Sequence, residues 1–209
     1  MVKFTILGER CSGTNYLQEL LRVNFYNVQT EGSKHWFKNP RPGPTIGIIR
    51  NPIDWLHSLY TCLHNIPDEN KTLPGFLLNE YYSVQNNEII TQDLKVKYHN
   101  IFELRFLKNK FLLEIEKPDY ILISYDELKS NPSEVLLQIK NKFRLQFKGP
   151  VVDVNYYVGW GRERGVTFIK RKVDFSPEIL KLIQENLDKE QEFLLGYKLS
   201  HHDIFTNVY

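Results

Sequence analysis

Cysteine is scarce in this 209-residue chain, with Cys11 and Cys62 the only two. A small secreted domain held by disulfides carries a larger even set, so the expectation is a reducing compartment. Net charge is scarce as well, since 27 basic residues stand against 25 acidic ones, a formal balance of +2. That argues against a general nucleic-acid coat and against a polybasic membrane anchor, so an anionic ligand must be held by local clusters. No apolar stretch approaches the roughly 18 residues of a membrane span. Met1 leads straight into strand-like sequence without a signal-peptide core. The expectation is a soluble, cytoplasmic protein with neither membrane nor nucleic acid as a partner. Length, together with 42% hydrophobic residues, suits one domain over residues 1–209 with a sizeable core.

What is present alternates. Val2-Lys3-Phe4-Thr5-Ile6-Leu7 is a short β-rich run ending at Gly8, and residues 14–25 then carry Leu17, Leu20, Leu21 and Phe25 at helical spacing. Thr45-Ile46-Gly47-Ile48-Ile49 is apolar on both faces, as a buried parallel strand requires. Asn51 as N-cap, Pro52 at the first helical position and Asp54 in the first turn announce the helix that follows. Residues 67–74 read as a loop and residues 75–98 as weakly patterned. A helix is expected over residues 100–116, a buried strand at Tyr120-Ile121-Leu122-Ile123-Ser124, and helices over residues 132–143 and 177–192. Strand and helix in alternation imply an α/β fold with a central parallel sheet flanked by helices.

The most telling absence is a lysine. Gly8-Glu9-Arg10-Cys11-Ser12-Gly13-Thr14 joins the first strand to the first helix with the glycine spacing of a nucleotide phosphate loop. Backbone N–H groups at such a turn, with the helix N-terminus, suit a phosphate-like anion. A nucleoside-triphosphatase loop continues with Lys and Ser/Thr to reach the outer phosphates and magnesium. Here Thr14-Asn15 follows, and the cation stands upstream at Arg10. The loop is thus ill equipped for a triphosphate and better suited to one phosphate bearing one further anionic group. The alternative is an ordinary glycine-rich turn packed tightly between strand and helix.

A second segment, Ile49-Arg50-Asn51-Pro52-Ile53-Asp54-Trp55-Leu56-His57-Ser58, sets an arginine at the carboxyl end of a strand. Open α/β sheets bind ligands there. Ser58, eight residues on, can return to the same edge, and an arginine fork with a hydroxyl suits a phosphate. Otherwise Arg50 pairs with a surface carboxylate and Ser58 is an ordinary helix residue.

Together these two segments resemble the sulfotransferase superfamily, which uses PAPS (3′-phosphoadenosine 5′-phosphosulfate). The resemblance implies a three-layer P-loop-NTPase-like fold, with PAPS as co-substrate, the bisphosphate PAP as product and no metal. It implies 5′-phosphosulfate contacts for Arg10, Ser12, Gly13, Thr14 and Asn15, with Arg10 also aiding catalysis, and 3′-phosphate contacts for Arg50 and Ser58. Ser124-Tyr125-Asp126-Glu127-Leu128, Phe175-Ser176-Pro177 and Gly196-Tyr197 are similar to weaker family features. Arg164 and Gly165 resemble its late nucleotide loop, although Glu163 stands where a basic residue is expected.

Sulfuryl transfer to a hydroxyl needs a base and cations for the leaving phosphate. The likeness extends to Glu31-Gly32-Ser33-Lys34-His35-Trp36-Phe37 and implies His35 as base and Lys34 as charge stabiliser. Without it, His35 reads as a satisfied histidine and Lys34 as a solvated one. His57 and His64 lack a partner motif, and His201-His202-Asp203 is expected to be an exposed tail rather than a metal site. Arg105 and Lys108, three apart on a helix, are expected on a solvated face, the alternative being that they line the cleft. Most of Trp36, Phe37, Tyr60, Phe76, Tyr81 and Tyr82 are expected in the core, and Cys11 reads as filler. The resulting expectation is a sulfotransferase acting on a small-molecule or carbohydrate acceptor, hydroxyl or amine. The alternatives are a nucleotide or small-molecule kinase of related fold, and a non-catalytic module that binds PAPS or PAP.

Overall fold

The computed structural model describes residues 1–32, 34–37, 42–62, 66, 68–82, 88–90, 93, 95–156, 158, 166–167 and 175–198. In chain order these form β1 (Val2–Gly8), α1 (Thr14–Asn24), β2 (Val28–Glu31), β3 (Thr45–Ile49) and α2 (Pro52–Tyr60). A 3-10 turn (Asp68–Asn70), α3 (Leu73–Leu78), β4 (Tyr81–Tyr82), β5 (Lys97–Tyr98) and α4 (Ile101–Leu113) come next. The remainder is β6 (Tyr120–Ser124), α5 (Tyr125–Ser130), α6 (Pro132–Phe143), α7 (Pro177–Asn186) and α8 (Lys189–Leu194). Arg164, Gly165, His64, His201, His202 and Asp203 lie outside the described residues.

The central sheet has four parallel strands in the order β2-β1-β3-β6, and β4 pairs with β5 in a separate antiparallel ribbon. Since β2 and β3 flank β1 on opposite sides, connections diverge between β1 and β3, and open α/β sheets bind ligands at such a crevice. Alternation along each strand sends side chains to both faces. Phe4, Ile6, Ile46, Ile48 and Ile123 meet Leu17 and Leu20 of α1 and Val135 and Ile139 of α6. On the other face Leu7 and Ile49 join Phe37, Leu112 of α4 and Leu195. Helices therefore cover both faces, as the continuous apolar strands required. A further cluster unites Trp55, Leu59, Phe76, Ile101 and Ile183, so α2, α3, α4 and α7 share one core.

Helix starts follow their caps. The Asn51 side chain accepts from the Ile53 and Asp54 N–H groups at 3.0 and 3.3 Å, with Pro52 at the first position. Two expectations are corrected by caps. Residues 67–74 are not all loop, since Thr72 caps α3 and Pro74 sits in its first turn, where proline starts a helix as readily as it ends one. The helix expected over residues 177–192 breaks at Leu187, because Asp188 accepts from the Gln191 N–H at 2.8 Å and starts α8 afresh.

α1 begins differently. Its N-cap is Gly13, in the left-handed region at φ 95°, with no side-chain cap. A Cβ there would sit 2.1 Å from Cδ2 of the Tyr125 ring. Backbone and space thus both require glycine. Gly13→Ala should destabilise the protein by at least the ~1–3 kcal/mol of a strained backbone, and adding Tyr125→Ala should recover only the steric share. Urea melts showing Gly13→Ala equal to wild type would overturn this account of the loop.

Candidate functional site

Residues 9–13 form the turn from β1 into α1. Both the N–H and the hydroxyl of Ser12 donate to the Glu9 carbonyl, at 3.2 and 2.7 Å, which closes the turn. Cys11, like Gly13, has positive φ, at 62°. The first bond into α1 is Leu17 N–H to the Gly13 carbonyl at 3.0 Å, so the Thr14, Asn15 and Tyr16 amides have no helical carbonyl behind them. A positive-φ turn opening onto a helix N-terminus is the backbone geometry that receives anions.

Arg50 follows β3, the strand beside β1, and its guanidinium crosses to this turn. Nη1 donates to the Cys11 carbonyl at 2.9 Å, and the group lies 4.5 Å over the Tyr125 ring. The side chain is buried, and its Nε has no hydrogen-bond partner among the described residues. The two sequence motifs are therefore joined directly. Ser58 lies on α2, partly buried, and no hydrogen bond among the described residues ties its hydroxyl to Arg50.

Lys34 and His35 flank the turn from the other side. The Gly8 N–H donates to the Lys34 carbonyl at 3.0 Å, extending the parallel pairing past β2, and the Lys34 ammonium donates to Oδ1 of Asn15. Burial lowers the Lys34 pKa. His35 Nδ1 lies 2.8 Å from the Gly8 carbonyl. A carbonyl only accepts, so Nδ1 carries the proton and Nε2 keeps the lone pair. Burial first, and then the Lys108 charge, push the His35 pKa down to about 4, against the pull of the Gly8 carbonyl.

Beneath the turn lies a cluster of buried charges that the sequence reading misplaced. Arg105 and Lys108 are not solvated; each is only 1% exposed. Arg105 holds Glu9 through Nη1 at 2.7 Å and grips Glu192 of α8 with Nε and Nη2 at 2.5 and 2.9 Å. Its guanidinium also stacks 4.9 Å over Trp55 and donates to the Arg50 carbonyl at 3.0 Å. Lys108 pairs with Glu88, whose other oxygen takes Arg10 Nε at 2.5 Å. The Trp55 indole N–H donates to the Arg10 carbonyl at 2.8 Å. The reason is visible in the helix, where Ile101, Leu104, Arg105, Lys108 and Leu112 form a single stripe at helical spacing. Position on an apolar stripe was the available signal, and charge alone concealed it.

Arg10, expected to meet an anion, is thus engaged by Glu88, and Glu88 reaches it from the segment whose Ile89 carbonyl accepts the Phe37 N–H at 2.7 Å. Glu9, Glu88, Glu192, Trp55 and Tyr125 are parts of this site that sequence reading did not assign. His57 packs edge-on to Phe175 with ring centres 4.1 Å apart. Among the described residues no cluster of His, Cys, Asp and Glu could hold a metal ion. None of their helices is long and apolar enough to cross a membrane.

The arrangement offers two cations without carboxylate partners among the described residues, Lys34 and Arg50, on either side of a backbone anion cradle. It also offers a neutral imidazole with a lone pair on Nε2. No family model matches the chain, and no curated protein matches it either.

Half-buried His35 and buried Glu9 give opposite pH dependences. His35 titrates near 6.5 when unfolded and about 4 when folded, so its contribution is complete above pH 6.5 and lost as pH falls towards 4. That amounts to roughly 3 kcal/mol. Glu9 is pushed up from 4.5 to about 7 by burial, against the attraction of Arg105 and Lys108 and with the repulsion of Glu192 and Glu88. Its contribution is complete below pH 4.5 and lost as pH rises to 7. Relative to wild type, His35→Asn should gain stability as pH falls from 6.5 to 4, whereas Glu9→Gln should gain as pH rises from 4.5 to 7. Denaturant titrations across this range measure both, and parallel curves for all three proteins would refute the assignment.

Proposed function

We propose that this chain is a PAPS-dependent sulfotransferase with a P-loop-like fold, acting on the hydroxyl or amine of a small-molecule or carbohydrate acceptor. The reading is carried by the junction of Arg50 with the turn after β1, through its bond to the Cys11 carbonyl. Two sequence segments, each suited to an anion, meet at the switch point of a parallel sheet. The buried donor at Arg50 Nε, which has no partner among the described residues, fits an anionic group at that point. Thr14, Asn15 and Lys34 would receive the 5′-phosphosulfate, and Arg50, with Ser58, the 3′-phosphate. Arg164 and Gly165 are proposed to complete the nucleotide site.

In the proposed reaction the acceptor oxygen attacks sulfur, the bond from sulfur to the bridging phosphate oxygen breaks, and PAP leaves. His35 takes the acceptor proton at Nε2, since Nδ1 already donates to Gly8. An imidazole titrating at about 4 is a weak base, and the negative charge of the nucleotide beside it raises its proton affinity. Lys34 offsets charge on the leaving phosphate. Arg10 acts from the buried side, its guanidinium fixed by Glu88. The low basicity of His35 also favours a second reading, a module that binds PAPS or PAP without turnover. A kinase of related fold is the weaker alternative, because no lysine follows Gly13.

Adenosine 3′,5′-bisphosphate should raise the melting temperature, by mass action, far more than equal AMP or ATP with magnesium. Equal stabilisation by AMP would sink the 3′-phosphate assignment, and preference for ATP with magnesium would revive the kinase. A screen of phenols, sugars and amines with labelled PAPS then separates enzyme from module.

The two residues should fail differently. His35→Ala should keep bisphosphate affinity within a few-fold while turnover falls by about 10²–10⁴. Arg50→Ala should lose affinity first, by about 1.5–3 kcal/mol. Calorimetry and turnover measured side by side decide this. A His35→Ala protein that is folded and fully active moves the base elsewhere.

A further inference from the structure

Just past β3, one peptide is held from two directions. The pairing of β3 with β6 sets Ile49 beside Ser124, and the same offset two residues on brings Asn51 beside Asp126. The Asn51 N–H donates to Asp126 Oδ2 at 2.8 Å, while the Arg50 carbonyl accepts from Arg105 Nη2 at 3.0 Å. These are the two polar groups of a single peptide, the one that links Arg50 to Asn51. In a planar trans peptide they point in opposite directions. A carboxylate takes the N–H and a guanidinium takes the carbonyl, so each end of the peptide dipole meets the charge that suits it. The reversed plane would turn the carbonyl towards Asp126 and the N–H towards Arg105, and both contacts would repel. We propose that Asp126 is a positioning residue of the anion site: with Arg105 it fixes the peptide after Arg50, and so the direction in which the Arg50 side chain leaves the end of β3. The clamp stands on the structure alone; only its consequence for nucleotide binding rests on the sulfotransferase reading.

Asp126 is itself held. The Asp126 and Glu127 N–H groups donate to the Ser124 hydroxyl that caps α5, which seats Asp126 in the first turn. The Tyr197 hydroxyl donates to the same Oδ2 at 3.1 Å. Burial first, and then the Asp126 charge, push the Tyr197 pKa up, so the phenol keeps the proton that it donates. Tyr197 follows Gly196, at φ 88°, and its N–H donates to the Glu192 carbonyl at 2.8 Å. Glu192 is the residue that Arg105 grips. Asp126 and Arg105 are therefore joined to each other through the end of α8, and the peptide lies between them. The Arg50 guanidinium lies over Tyr125, the residue before Asp126, and reaches the Cys11 carbonyl. A turn of the peptide plane would draw it off both.

The test compares Asp126→Ala, Asp126→Asn and Tyr197→Phe in the full-length protein. An asparagine oxygen can still accept both bonds that Oδ2 accepts, whereas alanine accepts neither. Amide exchange at Asn51 should quicken at least about tenfold in Asp126→Ala, the usual worth of a hydrogen bond to a charged group, and stay near wild type in Asp126→Asn. The Arg50 Nε–H resonance should move in Asp126→Ala and hold in Asp126→Asn. Affinity for adenosine 3′,5′-bisphosphate should fall about tenfold in Asp126→Ala and recover in Asp126→Asn. Once Arg50 is alanine, Asp126→Ala should cost no further affinity, which separates positioning from a general loss of structure. Tyr197→Phe frees the carboxylate and should quicken Asn51 exchange about threefold; should Asp126→Ala fail to fold, this variant decides, and unchanged exchange in it overturns the proposal. Three other results overturn it: unchanged Asn51 exchange in Asp126→Ala, an Asp126→Asn protein as impaired as Asp126→Ala, or an equal loss of affinity with and without the Arg50 guanidinium. Failure of the wild type to bind bisphosphate counts against the nucleotide reading, while Asn51 exchange and the Arg50 resonance still decide the clamp.

Discussion

Three carboxylates, Glu9, Glu88 and Glu192, and three cations, Arg10, Arg105 and Lys108, are buried together beneath the carboxyl edge of the sheet. Burying such charges is costly, and their mutual attraction offsets the cost only when geometry and hydrogen bonds are nearly complete. Removing one partner from a buried pair typically destabilises by about 3–5 kcal/mol. The cluster therefore dictates where its carriers lie. Arg105 draws the loop residue Glu9, the α8 residue Glu192 and the Arg50 carbonyl onto α4. Lys108 and Arg10 draw in Glu88, which brings residues 88–90 alongside Phe37. Apolar packing could bring these elements near one another in several registers. Paired charges select one.

Neutralising the interior in this way leaves the remaining charge to define the surface above it. Within the cluster each positive group has a negative partner, so Arg50 and Lys34 stand, among the described residues, as cations without a carboxylate partner at the rim. Such cations next to a backbone cradle meet a condition for binding an anion without a high net charge, which this chain lacks. The same interior charge acts on His35, where Lys108 opposes protonation and Glu88 favours it. The imidazole is held neutral by its surroundings, and its tautomer is chosen by Gly8.

β1, β3 and β6 were readable because they are β-rich or apolar on both faces, whereas β2, with Gln29, Thr30 and Glu31 at the edge of the sheet, carries no such pattern and was missed. The start of α2 was readable because Asn51, Pro52 and Asp54 are local signals. The loop and Arg50 were readable because their spacing relates them to strand ends. Residues 75–98 were not, because β4 and β5 have two residues each and the position of Glu88 depends on Arg10 and Lys108, distant in sequence. Arg105 and Lys108 were misread since residue type was weighed above their place on the stripe of α4. Arg10 shows the limit most clearly: its motif position points to an anion, yet Glu88 takes its Nε.

Coupling between the cluster and the turn follows from connectivity. Arg105 touches the turn through the Glu9 side chain and the residue after β3 through the Arg50 carbonyl, so one guanidinium holds the two segments in register. Arg50 returns the link by donating to the Cys11 carbonyl. The cycle from Glu9 to Arg105, Arg50 and Cys11 closes on the turn itself, with two of its members bonding through backbone carbonyls. Substitution of Arg50 therefore removes its guanidinium from the cradle while its carbonyl continues to hold Arg105. Loss of Arg105 would release Glu9 and the Arg50 carbonyl at once, and so a cation buried beneath the turn governs the geometry of the cation above it.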